Sequence, residues 1–109
     1  MNLKEIIKHC HNCDDKNRRK FTKIEVNNVF AKAGGAPDYD KNKRKCPKCG
    51  TQIHLNARVT LVFNKWESTD NNPFAWHIDH VLPVANNGCN CLINLQPLCD
   101  KCNRKKGRK

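Results

Sequence analysis

Asp79 and His80 stand side by side in the segment His77-Ile-Asp-His-Val-Leu-Pro83, and two asparagines, Asn94 and Asn103, follow within a short stretch of chain. Asp79 and Asn103 can offer two oxygens to a hard cation. An imidazole beside them, that of His80, can take a proton from water. Singly, each residue has an ordinary explanation. An Asx before a turn is common, Asn94 suits a turn, and Asn103 can cap or decorate a helix. The chemistry exists only if something holds them together.

The cysteines supply that something. Cys46-Pro-Lys-Cys49-Gly50 and Cys99-Asp-Lys-Cys102 are two thiol pairs, each spaced so that both sulfurs reach one ion from a single turn. Two such pairs complete a tetrahedral zinc site, and a site closed by four sulfurs is structural, not catalytic. Asn103 directly follows Cys102, so the knuckle also sets where Asn103 points. Four cysteines remain. Cys10-x-x-Cys13 and Cys89-x-Cys91 admit a second zinc site, with His9 and His11 as spare ligands, or else free thiols on an arm and a loop.

The elements that must position these residues are short. In residues 1–20, Leu3, Ile6 and Ile7 allow one amphipathic turn. Thr22 and Glu25 fit a capping box, Phe21 and Val26 a hydrophobic staple, and Val26, Val29, Phe30 and Ala33 line one helical face. Gly34 and Gly35 are expected to end that helix and Pro37 to prevent its return. Residues 36–45 read as a basic loop. The alternation Ile53, Leu55, Ala57, Val59, Leu61, Phe63 reads as one strand or a hairpin, and 64–73 as a loop. Phe74 to Ile78 and Leu95 to Leu98 are expected strands, Asn86-Asn87-Gly88 a turn, and Cys99 to Lys106 a final helix with Gly107 near its C-cap.

The chain has 109 residues, enough for one domain with an arm, and its apolar fraction of 38% suggests a core in need of a staple. Lysine and arginine number 21 against 10 acidic residues, a net charge of +11 that suits a phosphate-rich partner. The excess clusters at Lys16, Arg18, Arg19, Lys20 and Lys23, at Lys41, Lys43, Arg44, Lys45 and Lys48, and at Lys101, Arg104, Lys105, Lys106, Arg108 and Lys109. The sequence has no membrane-spanning apolar run and no signal-peptide core. The expected setting is intracellular and cytoplasmic, or nuclear in a eukaryotic host, where C-x-x-C pairs favour metal over disulfides.

The stretch 79–107 closely resembles the HNH endonuclease family. Asp79, His80 and Pro83 are followed by Asn94-Leu-Gln-Pro-Leu-Cys99, then by Cys102, Asn103, Lys106 and Gly107. The helix and first knuckle upstream extend the likeness over roughly residues 21–107. The resemblance implies an α+β fold, a small treble-clef-like ββα-metal domain over 21–109 with its core near 74–107, preceded by a basic arm over 1–20. It implies a metal-dependent DNA endonuclease that leaves a 5′-phosphate and a 3′-hydroxyl. In that role His80 is the general base, Asp79 and Asn103 hold the catalytic cation, and Asn94 braces the histidine-bearing loop. Many members carry histidine where this chain has Asn103. A carboxamide oxygen favours magnesium or manganese there over zinc. Activity would rise from acid toward neutral pH.

Arg104, Lys105 and Lys106 are expected at phosphates of double-stranded DNA, or simply as cations near a helix C-terminus. His77 shares a strand face with Asp79 and is either a supporting partner or a structural imidazole. His54 is expected to be solvated. Trp66 and Trp76 are expected in packing more than in base stacking. The alternative function is a non-catalytic, zinc-dependent nucleic-acid-binding module. Monomer and homodimer both remain open.

Overall fold

A computed structural model describes residues 2–17, 19–34, 42–62, 65–66 and 72–106. Gly35, Pro37, Phe63, Gly107, most of the expected loop 64–73, and the basic residues Arg18, Lys41, Arg108 and Lys109 lie outside the described residues.

Helix α1 spans Leu3–His11, with Asn2 as its N-cap accepting from the Glu5 amide at 2.9 Å. It is longer than the single turn expected. Cys10 is fully buried and behaves as an apolar residue, so Leu3, Ile6, Ile7 and Cys10 make one stripe over the whole helix. Helix α2, Lys23–Phe30, opens with both halves of the expected capping box. It ends at Phe30, not at the glycines. The amides of Lys32 and Ala33 bond the carbonyls of Val29 and Phe30, a tighter turn that still delivers Ala33 to the core.

The basic loop is partly a strand. β1, Lys43–Lys45, pairs antiparallel with β2, Gln52–His54. No apolar alternation marks Lys-Arg-Lys as a strand; closure of the intervening cysteine knuckle brings it against β2. The expected long strand over 53–63 breaks up. β2 stops at His54, a 3-10 turn covers Leu55–Ala57, and β3, Leu61–Val62, pairs with β4, Lys65–Trp66, inside the expected loop. Ala57 and Val59 are buried from an irregular segment, which is why the period of two outlasts the strand.

The ββα unit closes the chain. β5, Trp76–His80, and β6, Leu95–Cys99, form an antiparallel hairpin registered from Trp76↔Cys99 to His80↔Leu95, and α3, Asp100–Lys106, follows at once. One face of the hairpin meets α2. Val29, Phe30, Ala33, Cys46, Ile53, Trp76, Leu95, Leu98 and Cys99 form that core, with the Phe30 and Trp76 rings 5.1 Å apart. Trp76 is thus a packing residue; its Nε1 donates to the Leu55 carbonyl at 3.3 Å. The other face meets α3, through His77 and Asp79. A second small core joins Ile6 of α1 to Cys10 and Cys89. No helix among the described residues is long and apolar enough to cross a membrane.

Candidate functional site

Cys46, Cys49, Cys99 and Cys102 converge, each sulfur lying within 4.8 Å of the others. The first pair sits in a tight turn: the Gly50 amide bonds the Cys46 carbonyl at 2.9 Å, and Gly50 takes φ +78°, where a side chain would be strained. The second pair straddles the junction of β6 and α3. The amide of Cys99 points at Cys46 Sγ at 3.4 Å, and that of Cys102 at Cys99 Sγ at 3.4 Å. The thiols resist ionising together. Burial and then the neighbouring sulfurs push Cys102 up to about 12, while the side chain and amide of Thr51 hold Cys49 down to about 6. Four soft donors with amide support fit a zinc ion, which would let all four exist as thiolates.

This clamp starts α3, and α3 lies along the face of β5 that carries His77 and Asp79. His77 Nε2 bonds Asp100 Oδ1 at 2.8 Å at one end of the helix, and Lys106 Nζ bonds Asp79 Oδ2 at 2.6 Å at the other. Burial alone would raise the Asp100 carboxyl, but the His77 bond and the Arg104 charge bring it below its ordinary value. Asn103 stands midway, three residues from each pinned position and so on the same helix face. Lys106 Nζ also donates to the His80 carbonyl at 3.0 Å, and Gln96 Nε2 to Asp79 Oδ2 at 2.9 Å. A positive charge therefore already rests on Asp79 at the end of β5. The Asp79 carboxylate, already paired with a cation, is a hard donor of the kind a divalent cation takes.

His80 leaves the opposite face of the strand from Asp79. Its Nε2 lies 2.8 Å from Asn90 Oδ1, and its ring lies 6.1 Å from that of Phe21. Asn90 is buried, and its orientation is set by its donors: Nδ2 gives hydrogen bonds to Asp15 Oδ1 at 3.0 Å and to the Asn17 carbonyl at 2.7 Å. The Asp15 carboxyl is held down to about 2 by Arg19 and then by Asn90 itself, so it only accepts at neutral pH. Oδ1 must then face His80, and since a carbonyl oxygen only accepts, Nε2 carries the hydrogen. The lone pair of the neutral ring sits on Nδ1.

Asn94 is fully buried and works as an extra peptide group. Its Oδ1 accepts from the Leu82 amide at 2.7 Å, while its Nδ2 donates to the carbonyls of Leu82 at 3.0 Å and Cys89 at 2.8 Å. It ties the segment after His80 to the start of β6.

The basic residues of α3 are partly engaged. Arg104 pairs with Asp100 at 2.9 Å and Lys106 with Asp79, while Lys105 is exposed. His54 is not solvated but stacks on Phe74, ring centroids 3.8 Å apart. Cys10 Sγ lies 3.0 Å from Cys89 Sγ, and Cys13 Sγ 2.9 Å from Cys91 Sγ. Two residues escaped sequence reasoning. Asn90 shows itself only by standing between two cysteines. Arg58 lies in an irregular segment with its guanidinium carbon 5.9 Å from the Phe21 ring centre and its Nε buried without a hydrogen-bond partner.

No curated protein matches this chain, and no solved structure does. The profile of the HNH endonuclease family matches residues 46–109, more than half of the chain and the whole stretch from the first knuckle through α3. That family carries a nuclease-type or nucleic-acid-binding function. With the thiolate clamp and the ββα unit in place behind the match, the chain belongs to the HNH endonuclease family.

Proposed function

We propose that this protein is a metal-dependent DNA endonuclease with His80 as general base. The observation that carries the reading is the Asn90–His80 hydrogen bond, which leaves Nδ1 as the basic nitrogen of a ring at the mouth of the hairpin. His80 Nδ1 takes a proton from water, whose oxygen attacks the phosphorus in line. The P–O bond to the 3′ oxygen breaks, leaving a 5′-phosphate and a 3′-hydroxyl. Asn90 keeps the imidazole in the tautomer that can accept, and Asn94 holds the backbone on which it rides. Asp79 and Asn103 would hold a magnesium or manganese ion, which when bound offsets charge growing at the phosphate and the leaving oxygen. Lys105, with Arg104 and Lys106 when released from their carboxylates, would meet flanking phosphates of double-stranded DNA.

Plasmid relaxation tests the reading. The wild type should nick supercoiled DNA with Mg²⁺ or Mn²⁺ and stop when EDTA is added. His80→Ala should lose about 10²–10⁴-fold in cleavage rate, the usual worth of a general base, while still binding DNA. A wild type that binds DNA but does not cleave it with any divalent cation overturns the proposal in favour of a non-catalytic binding module.

A further inference from the structure

The N-terminal cysteines meet the loop that carries Asn90, and the meeting has the chemistry of a metal site. Cys13, Cys89 and Cys91, with the ring of His9, have ligand atoms all within 4.8 Å of one another. Cys10 adds a fifth donor, its sulfur 3.0 Å from that of Cys89. The cluster repeats the construction of the first site. There the Cys99 amide points at Cys46 Sγ at 3.4 Å; here the Cys89 amide points at Cys10 Sγ at 3.3 Å. All these thiols are free. The pairs come from residues 76 or more apart in sequence, Cys10 and Cys13 on or just after α1 and Cys89 and Cys91 before β6. Of the buried residues there only Ile6 is a plain hydrocarbon, and Val81, Leu82 and Ile93 pack against them only partly buried.

We propose that this cluster is a second structural zinc site, held by Cys13, Cys89 and Cys91 and by a fourth ligand from the His9–Cys10 step of α1. The site fastens the N-terminal helix to the loop beside the imidazole of His80. Asn90 lies between two of the ligands, its amide bonded to the Asp15 carbonyl at 2.7 Å and its side chain to Asp15, Asn17 and His80. Fixing Cys89 and Cys91 therefore fixes the carbonyl that sets the His80 tautomer. The metal site stands independently of catalysis; its effect on cleavage rests on the reading of His80 as base. Ligating groups are commonly supported by such outer partners, and here the relation runs in reverse, from the ligated loop outward to the base.

Elemental analysis of the intact wild-type chain, purified under reducing conditions without chelator, should give two zinc ions per chain. Cys13→Ser/Cys91→Ser should fall to one, with the Cys46 site still filled, and its His80 Nε2 proton resonance should broaden or vanish. Cobalt(II) titration of the wild-type chain, freed of zinc by chelator under reducing conditions and then freed of chelator, avoids any folding problem in the variant: absorption in the thiolate-to-cobalt band should saturate at two equivalents. One zinc in the wild type with cobalt saturating at one equivalent overturns the site. So does a loss of free thiols under denaturing conditions that shows Cys10–Cys89 and Cys13–Cys91 disulfides. Two zincs with no cleavage by wild type would sink the endonuclease reading and leave this site standing.

Discussion

At the scale of single residues, the site is a competition for one carboxylate. Asp79 Oδ2 receives both Lys106 Nζ and Gln96 Nε2, so if Asp79 holds the cation as proposed, that ion competes with the Lys106 ammonium. The pair is partly buried, with the Asp79 side chain 12% exposed. Ion pairs at such a boundary contribute on the order of 1 kcal/mol, so a cation must displace an interaction of that size. Lys106→Met removes the competitor without adding a donor. It should tighten Mn²⁺ binding by about fivefold, the equivalent of that energy, as read by calorimetry on the zinc-loaded protein without DNA. Unchanged or weaker Mn²⁺ affinity would show that Asp79 is not a cation ligand. The same substitution should weaken DNA binding if Lys106 turns to phosphate once the metal arrives.

At the scale of elements, the turn between β5 and β6 is the piece with least freedom. A Cβ on Gly88 would lie 1.7 Å from the Leu82 carbonyl oxygen and 2.7 Å from that of Pro83. Both are backbone atoms, and Leu82 is held on its other side by Asn94. The loop cannot give without breaking the Asn94 bridge. Gly88→Ala should therefore destabilise the protein by about 2–3 kcal/mol, the usual cost of overpacking at a rigid position, seen as a lower midpoint in urea. A neutral result would mean the Leu82–Gly88 segment is looser than its hydrogen bonds imply. This segment also marks the limit of what the sequence discloses. Thr22 with Glu25, the two C-x-x-C pairs and the β5–β6–α3 order were all legible, because each is a local pattern: a cap, a turn spacing, a short apolar run. The strand at Lys43–Lys45 was not, since its pairing is imposed by the knuckle and its side chains carry no alternation. Nor was the break after His54, where apolar residues stay at alternate positions although the chain coils. In the candidate site, Asp79, His80 and Asn94 were visible as a motif. Asn90 was not, because its partners Asp15 and Asn17 are more than seventy residues away in sequence.

At the scale of the whole molecule, we expect the chain to depend on a metal clamp more than on its core. Its main apolar cluster is small, and two of its members, Cys46 and Cys99, belong to the four-cysteine group that fits a zinc ion. The clamp joins the β1–β2 knuckle to the junction of β6 and α3, so the sequence between them, including both strands of the β5–β6 hairpin, closes through it. Structural zinc in small domains binds with apparent free energies of about 10–16 kcal/mol, at least as large as the about 5–15 kcal/mol by which ordinary domains are stable. Withdrawing the ion should therefore abolish the fold instead of trimming it. Treatment with a chelator under reducing conditions, with zinc loss confirmed by elemental analysis, should remove the cooperative thermal transition and lower the helical circular dichroism. Zn²⁺ should restore both, whereas Mg²⁺ should restore neither, because a hard cation has no affinity for four sulfurs. If the zinc-free chain keeps a cooperative transition within a few degrees of the loaded one, the apolar cluster is sufficient by itself, and the clamp cannot be what aligns α3, with Asn103 and Lys106, against Asp79.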